Sequence, residues 1–137
     1  MGFFRLTDAA QSDIVEILAW SQAQFGEAAR KRYERLIVTA LRDIAAAPER
    51  PGTVARPELG ADVRSWHLRG SRDRARGPDG VVNRPRHFLL YKMVDPQIVA
   101  IGRVLHDAME LRRHLAPGND NLFDVGLSGA GSIDEAR

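Results

Sequence analysis

The sequence contains no cysteine, and only two of its 20 basic residues are lysine. The absence of cysteine excludes a disulfide scaffold and a cysteine-ligated metal site. No apolar run approaches the roughly 18 residues that a membrane span requires. The first residues, Met-Gly-Phe-Phe-Arg, also lack the basic segment and apolar stretch of a signal peptide. We therefore expect a cytoplasmic protein that does not contact a membrane.

Several catalytic motifs are also missing. The sequence has no glycine-rich phosphate loop after a strand, no His-Glu-x-x-His and no Gly-x-Ser-x-Gly. Nucleotide hydrolysis, zinc proteolysis and α/β-hydrolase chemistry therefore have no support. We expect neither a metal nor a cofactor, because the histidines are not spaced like metal ligands. The four histidines are His67, His87, His106 and His114.

The length suits one hydrophobic core, and the charge along the chain is uneven. A chain of 137 residues that is 44% apolar fits a single domain. Its net charge is +2, but residues 63–116 carry 11 basic and 5 acidic side chains. Residues 1–62 carry 8 and 9, and residues 117–137 carry 1 and 4. We expect a domain over residues 1–116, followed by an acidic tail that is disordered in isolation.

The first half of the domain predicts a strand and two helices. Residues 3–6 form a short apolar run, and Thr7-Asp8 followed by Gln11 is a helix-start signature. Apolar side chains then recur at helical spacing until Gly26 ends the pattern. A second amphipathic stripe follows at once over residues 29–44. Two long helices with so short a connection predict an antiparallel helical hairpin.

The second half of the domain predicts a sheet. Runs over residues 63–68, 88–94 and 98–105 have the composition of strands. Only Asp-Pro-Gln separates the last two, which indicates a tight antiparallel hairpin. Residues 69–86 are rich in Arg, Gly, Asp and Pro, with too few apolar residues for a packed element, and are expected to form a loop. Their arginines form either a basic surface or a merely solvated loop.

The end of the domain predicts a short C-terminal helix that Asp107 caps. Asp107 and Glu110 also suit acid–base chemistry, but a cap and a first-turn acid explain them better. The order of elements therefore predicts an α+β fold. In this fold an N-terminal strand and an antiparallel helical hairpin pack on an antiparallel sheet, followed by a short helix.

Several short motifs occur in a distinctive order. They are Phe4-x-Leu6-Thr7 at the start, Asp13-Ile14, Ile17, Trp20 and Phe25-Gly26 in and after the first helix, His87-Phe88-x-Leu90-Tyr91, and Arg103-Val104-Leu105-His106 with Met109 three residues on. Their order and spacing resemble the ParE branch of the RelE/ParE toxin family, the toxins of bacterial type II toxin-antitoxin modules. The resemblance covers residues 3–115.

This resemblance implies a helical hairpin on a curved antiparallel sheet, and it implies a protein partner. Family members are neutralised by a co-encoded antitoxin whose flexible C-terminal segment wraps over the toxin. The N-terminal part of that antitoxin is usually a dimeric, DNA-binding ribbon-helix-helix. The implied assembly is a hetero-oligomer with a ParD-like antitoxin, in which the toxin itself does not read DNA sequence. Residues 69–86 depart from the family pattern, which connects these strands by a short turn.

The two branches of the family have different targets. ParE toxins are associated with plasmid stabilisation and poison DNA gyrase, whereas RelE toxins cleave messenger RNA on the ribosome. Cleavage needs a general base, a general acid and cations. On that alternative interpretation the residues are Arg64, Tyr91, Arg103 and His106. The C-terminal segment lacks a tyrosine and follows the ParE pattern, so we favour a non-enzymatic gyrase inhibitor without catalytic residues. A non-toxic, degenerate binding module is the third alternative.

The resemblance also suggests which residues contact the target and the antitoxin. The expected target-binding residues are Arg103, His106, Met109, Arg112, Arg113 and His114. The expected antitoxin-binding residues are Trp20, Phe25, Arg64 and Arg86.

Three of these residues have a structural alternative. Trp20 is either an exposed anchor or partly core. His106 either contacts the target or bonds nearby backbone. Arg103 either binds an acidic target or pairs with Asp107 or Glu110.

Overall fold

A computed structural model describes residues 2–108 together with residues 122 and 123. Its helices and strands follow the predicted order, with one additional short strand. In chain order they are β1 (Phe3–Leu6), α1 (Asp8–Phe25), α2 (Glu27–Ala46), β2 (Val54–Ala55), β3 (Arg64–His67), β4 (His87–Asp95) and β5 (Ile98–His106). The α+β fold class is confirmed. The short strand β2 lies in a connection where the sequence predicted no element, because two exposed residues carry no periodic signal.

The five strands form one sheet in the order β1-β5-β4-β3-β2. Three neighbouring pairs are antiparallel, but β1 and β5 are parallel, so the sheet is mixed rather than purely antiparallel. A parallel pair needs a long crossover connection, and the chain between β1 and β5, which contains the helical hairpin and β2 to β4, supplies it. Register shifts between Leu90 and Tyr91 and between Met93 and Asp95 interrupt the pairing of β4 with β5. Such bulges bend a strand, in accordance with the expected curvature.

The two helices begin and end where local signals place them. Thr7, rather than Asp8, is the N-cap of α1, because its hydroxyl accepts a hydrogen bond from the Ala10 amide at 3.0 Å. The same hydroxyl donates to the carbonyl of Gly102 at 2.8 Å and so ties the helix start to β5. Gly26 alone separates the helices, with a φ of 95° that favours glycine.

The main core lies between the helical hairpin and one face of the sheet. One face of α2 is fully buried there, and α1 contributes much less. The buried α2 residues are Leu36, Ile37, Ala40, Leu41, Ile44 and Ala45, which pack with sheet residues such as Leu89, Tyr91, Val99 and Ile101. Each large aliphatic side chain buried in this way contributes roughly 1.5–3 kcal/mol to folding.

A smaller apolar cluster covers the opposite face of the sheet. It contains Val63, Phe88, Leu90, Leu105 and Leu122, and Phe123 packs against it. Leu122 and Phe123 belong to the segment that the sequence predicts to be a disordered tail, and the rest of that segment lies outside the described residues. The approach of Leu122 and Phe123 requires a residue without a side chain at position 102. A Cβ on Gly102 would lie 2.8 Å from the Leu122 carbonyl oxygen.

The expectation that residues 69–86 contain no packed element is wrong. Two 3₁₀ turns, Leu68–Ser71 and Asp73–Ala75, bury Ser71 and Ala75 against α2. The indole of Trp66 donates to the Ser71 hydroxyl at 2.9 Å, and that hydroxyl donates to Asp43 at 2.6 Å. Small side chains and hydrogen bonds to α2 therefore hold this segment, and an apolar pattern cannot reveal them.

The predicted C-terminal helix begins at the limit of the described residues. Asp107 and Ala108 form a turn after β5, and the remainder of that helix lies outside the described part of the chain. Four of the six expected target-binding residues also lie outside the described part of the chain. They are Met109, Arg112, Arg113 and His114.

Candidate functional site: a cleft and a polar cluster at the end of the sheet

A cleft of about 710 Å³ lies beside the helical hairpin. Its size is within the range of ligand-binding pockets. One wall comes from α1 and α2, and the other comes from the segment before β4 and from the end of β5. The lining residues are Glu16, Ile17, Trp20, Ser21, Phe25, Ala29, Arg32, Tyr33, Val81, Val82, Asn83, Arg84, Arg86, His87 and His106.

Two exposed aromatic side chains stand at the helical wall of the cleft. Trp20 is 58% exposed and Phe25 is 69% exposed. Their rings meet edge to face, with 5.6 Å between centroids. The structure thus decides the alternative for Trp20 in favour of exposure. Exposed aromatic groups beside a concave surface are typical of protein interfaces.

The floor of the cleft contains a hydrogen-bonded tyrosine and histidine. The Tyr33 hydroxyl lies 2.6 Å from Nδ1 of His87 and accepts a hydrogen bond from the Arg86 amide at 3.1 Å. Burial raises the pKa of Tyr33 to about 12. Burial, reinforced by the neighbouring His106, lowers the pKa of His87 to about 4. At neutral pH the tyrosine therefore keeps its proton, and its hydroxyl donates a hydrogen bond to Nδ1 of the neutral histidine.

Asp107 is the centre of a second set of polar contacts at the same end of the sheet. Its carboxylate accepts hydrogen bonds from Nε and Nη2 of Arg86 at 3.1 and 3.0 Å. It also lies 3.0 Å from Nε2 of His67. Burial raises the pKa of Asp107, but the bonds from Arg86 and His67 outweigh burial and lower it to about 2. The carboxylate is therefore charged throughout the physiological range.

His106 belongs both to the cleft and to the backbone turn after β5. Its Nδ1 accepts a hydrogen bond from the Ala108 amide at 3.0 Å. The neutral ring must therefore carry its proton on Nε2. The ring lies edge to face against His87, with centroids 5.2 Å apart. The backbone bond that the sequence offered as one alternative is present, and the ring also lines the cleft.

Arg103 is held by α1. Its Nε and Nη2 donate to Asp13 at 2.7 and 3.0 Å, and the same carboxylate accepts from the Val104 amide at 2.9 Å. The hydrogen bonds to Asp13 raise the pKa of Arg103. The expected pairing of Arg103 with Asp107 is thus wrong, and Glu110 lies outside the described residues. The physical reason is that β1 ends at Leu6, so α1 covers the edge of β5 beyond it.

Arg64 and Tyr91 lie elsewhere, opposite each other on β3 and β4. They line a separate pocket of about 350 Å³. Arg64 donates to the Thr53 hydroxyl at 2.7 Å, and the fully buried Tyr91 donates to the carbonyl of Pro48. The four residues of the nuclease alternative therefore do not form one site.

The antitoxin-binding set is divided in the same way. Trp20, Phe25 and Arg86 line the large cleft, and Arg64 does not.

The polar cluster at this end of the sheet consists of Tyr33, His67, Arg86, His87, His106 and Asp107. The sequence analysis did not identify four of these as site residues. They are Tyr33, His67, His87 and Asp107. Tyr33 belongs to the apolar stripe of α2, and the two histidines occupy strands that are far apart in the sequence. The predicted hairpin of β4 and β5, which pairs His87 with His106, was the one sequence feature that could have indicated this cluster.

Comparison with known proteins identifies the family to which the chain belongs. Residues 4–111 match the family model described as the ParE toxin of type II toxin-antitoxin system, parDE. The chain belongs to this family. A search of curated proteins finds no significant match. The matched range includes the helical hairpin and all of the sheet except Phe3, so the cleft and the polar cluster of this chain lie within the matched region. No helix in the described residues has both the length and the apolar character to cross a membrane.

Proposed function

We propose that this ParE-family toxin arrests growth by binding DNA gyrase, without catalysing a reaction, and that a ParD-like ribbon-helix-helix antitoxin holds it inactive in the cytoplasm. Membership of the family carries the toxin assignment. The choice of binding over catalysis rests on the positions of the four candidate nuclease residues. Arg103 is paired with Asp13, Tyr91 is buried, and His106 stands in a different pocket from Arg64.

The proposed target surface begins at the end of β5. Arg103 and His106 are its described members, and Met109, Arg112, Arg113 and His114 continue it along the sequence. The basic character of this set suits an acidic protein surface. Since the guanidinium of Arg103 is held by Asp13, we expect His106 and the residues that follow to contribute more to target affinity than Arg103 does.

The proposed antitoxin surface is the cleft with Trp20, Phe25 and Arg86. The two exposed rings offer a large area of apolar contact, and Arg86 stands on the opposite wall. This combination suits an antitoxin segment that has an apolar side and a carboxylate, which meets the part of the Arg86 guanidinium that stays exposed beside Asp107. Arg64 serves as a second, separate contact, consistent with an antitoxin segment that wraps around the toxin.

Inhibition of gyrase supercoiling by the purified toxin tests this proposal. We expect loss of supercoiling or trapping of cleaved DNA, and full reversal when the antitoxin is added. Supercoiling that continues at a large molar excess of toxin contradicts the gyrase assignment. Cleavage of messenger RNA on induction, lost in Arg103→Ala or Tyr91→Phe, indicates the nuclease alternative instead. Normal growth without the antitoxin indicates a degenerate binding module.

A further inference from the structure

The turn after β5 is anchored to the neighbouring strand by both its backbone and a side chain. The amide of Asp107 donates to the carbonyl of Arg86 at 2.8 Å, and the Asp107 carboxylate accepts two hydrogen bonds from the Arg86 guanidinium. His67, from β3, approaches the other carboxylate oxygen at 3.0 Å. One residue at the end of β5 is thus tied to the ends of β3 and β4. We call Asp107, Arg86 and His67 the Asp107 clamp.

The clamp partners are themselves fixed in orientation. Nδ1 of His67 accepts from the Arg69 amide at 3.1 Å, which leaves its Nε2–H to donate to Asp107. The amide of Arg86 donates to Tyr33 on α2. Ala108, the next residue along the chain, donates its amide to His106. The direction of the chain at residues 107–108 is therefore set by side chains from β3, from β5, from the residue before β4 and from α2.

We propose that the Asp107 clamp positions His106, the residue of the proposed target surface that precedes it, so that Asp107, Arg86 and His67 control toxicity without contacting the target. This inference rests on the proposed function, because His106 belongs to the proposed target surface. A clamp at the turn after β5 holds the Ala108 amide where it donates to Nδ1 of His106, and so fixes the orientation of that imidazole ring. It therefore reduces the conformational entropy that is lost when the target binds.

A purely stabilising role fits the clamp less well. The side chain of Arg86 is 57% exposed, and exposed ion pairs contribute little to folding because water and salt screen them. The apolar cores on the two faces of the sheet contain none of the three clamp residues. In contrast, two guanidinium nitrogens of Arg86 converge on Oδ1 of Asp107 while His67 approaches Oδ2, so the carboxylate is held from both sides in a defined geometry. The principal effect of the clamp is therefore on orientation.

A second ion pair in the same molecule provides a matched control. Arg74 donates to Asp43 through Nε and Nη2, at 3.0 and 2.7 Å to Oδ2, and its side chain is 53% exposed. This pair resembles Arg86–Asp107 in geometry and exposure, but it joins residues 69–86 to α2 and not to β5. Arg74→Ala therefore removes a comparable contact without affecting the turn after β5.

The experiment compares Asp107→Asn and Arg74→Ala for gyrase inhibition, antitoxin affinity and thermal unfolding. We expect Asp107→Asn to need at least about tenfold more toxin for half-inhibition, the change that ~1.4 kcal/mol of binding free energy gives. We expect its unfolding temperature to match that of Arg74→Ala, with antitoxin affinity retained. Arg74→Ala should inhibit like the wild type. Asp107→Glu, which keeps the charge, should recover part of the loss.

Three outcomes overturn the clamp. They are wild-type inhibition by Asp107→Asn, an equal loss in Arg74→Ala, and a loss that merely follows a lower unfolding temperature. Growth arrest on induction separates the clamp from the gyrase assignment. If the wild type arrests growth without inhibiting gyrase, the proposed target is wrong, and loss of arrest in Asp107→Asn still supports the clamp. A wild type that does neither overturns both.

Discussion

The two helices of the hairpin have similar lengths but very different surroundings. In α2 a continuous stripe of six residues is buried against the sheet and the 3₁₀ turns, whereas α1 buries only Ala10 and Ser21. Instead, α1 packs along α2 and the edge of β5, and it leaves Val15, Trp20 and Phe25 exposed. The comparison shows that α2 is an element of the core and that α1 has a surface available to a partner. Four predictions test this distinction.

The largest effect should come from removing buried volume in α2. Leu41 is 1% exposed, and Leu41→Ala leaves a cavity between α2 and the sheet. We expect the free energy of unfolding to fall by about 2–5 kcal/mol. Val15→Ala, a change at an exposed position of α1, should alter it by less than about 0.5 kcal/mol. Urea denaturation of both variants measures the difference, and similar losses would contradict the assignment of α2 alone to the core.

The second effect concerns His87, the β4 residue that is hydrogen-bonded to Tyr33 of α2. The pKa of His87 is about 4 in the folded protein and 6.5 in the unfolded chain, so only the unfolded chain binds a proton between these values. Stability should therefore fall as the pH falls from about 6.5 to about 4, by up to about 3 kcal/mol. The charged or titratable groups that face His87 are Tyr33, His67, Arg86, His106 and Asp107.

Unfolding measured across this pH range checks the His87 prediction. His87→Asn keeps a polar side chain near Tyr33 but does not titrate, so its stability should be flatter between pH 6.5 and pH 4. Asp107 adds to the pH dependence of stability only at lower pH. Its pKa is about 2 in the folded protein, so its stabilising contribution is complete above the unfolded value of 3.8 and is lost as the pH falls toward 2. Equal slopes in the wild type and His87→Asn would show that other groups cause the dependence.

The third effect tests how α1 is attached. Asp13 accepts hydrogen bonds from the Arg103 side chain and from the Val104 amide. Asp13→Ala leaves these partly buried donors without their acceptor, so we expect a loss of about 1–3 kcal/mol. Glu16→Ala, one turn further along α1, is the control and should be near neutral. A loss in Asp13→Ala no greater than in Glu16→Ala would mean that the Asp13 contacts do not hold α1.

The smallest effect on stability should come from the exposed rings of α1. Trp20→Ala removes a contact with Phe25 but no core packing, so stability should change by less than about 1 kcal/mol. Antitoxin affinity should fall by about 2 kcal/mol, the magnitude typical of an interface hot spot. Isothermal titration with the antitoxin and thermal unfolding separate the two quantities. Unchanged affinity would remove α1 from the proposed interface.

Most of the element pattern was predictable from local signals. The limits of β1 and α1 agree with the structure, and the tight turn between β4 and β5 follows from Asp-Pro-Gln. The contacts that pair residues across the sequence were not predictable. Arg103 finds its acid on α1 because β1 is too short to cover β5, and the partners of Asp43 come from a loop that has no apolar pattern.

The sequence by itself determined the helical hairpin, the strands and the membership of a toxin family. These features depend on spacing and on residue type, which are written along the chain. Only the tertiary structure decided which helix is buried, which arginines are already paired, and that Tyr33, His87, His106 and Asp107 meet at one end of the sheet. Such contacts join residues that are far apart in the sequence, 90 positions for Arg103 and Asp13, and strand register and helix packing, not local preference, bring them together.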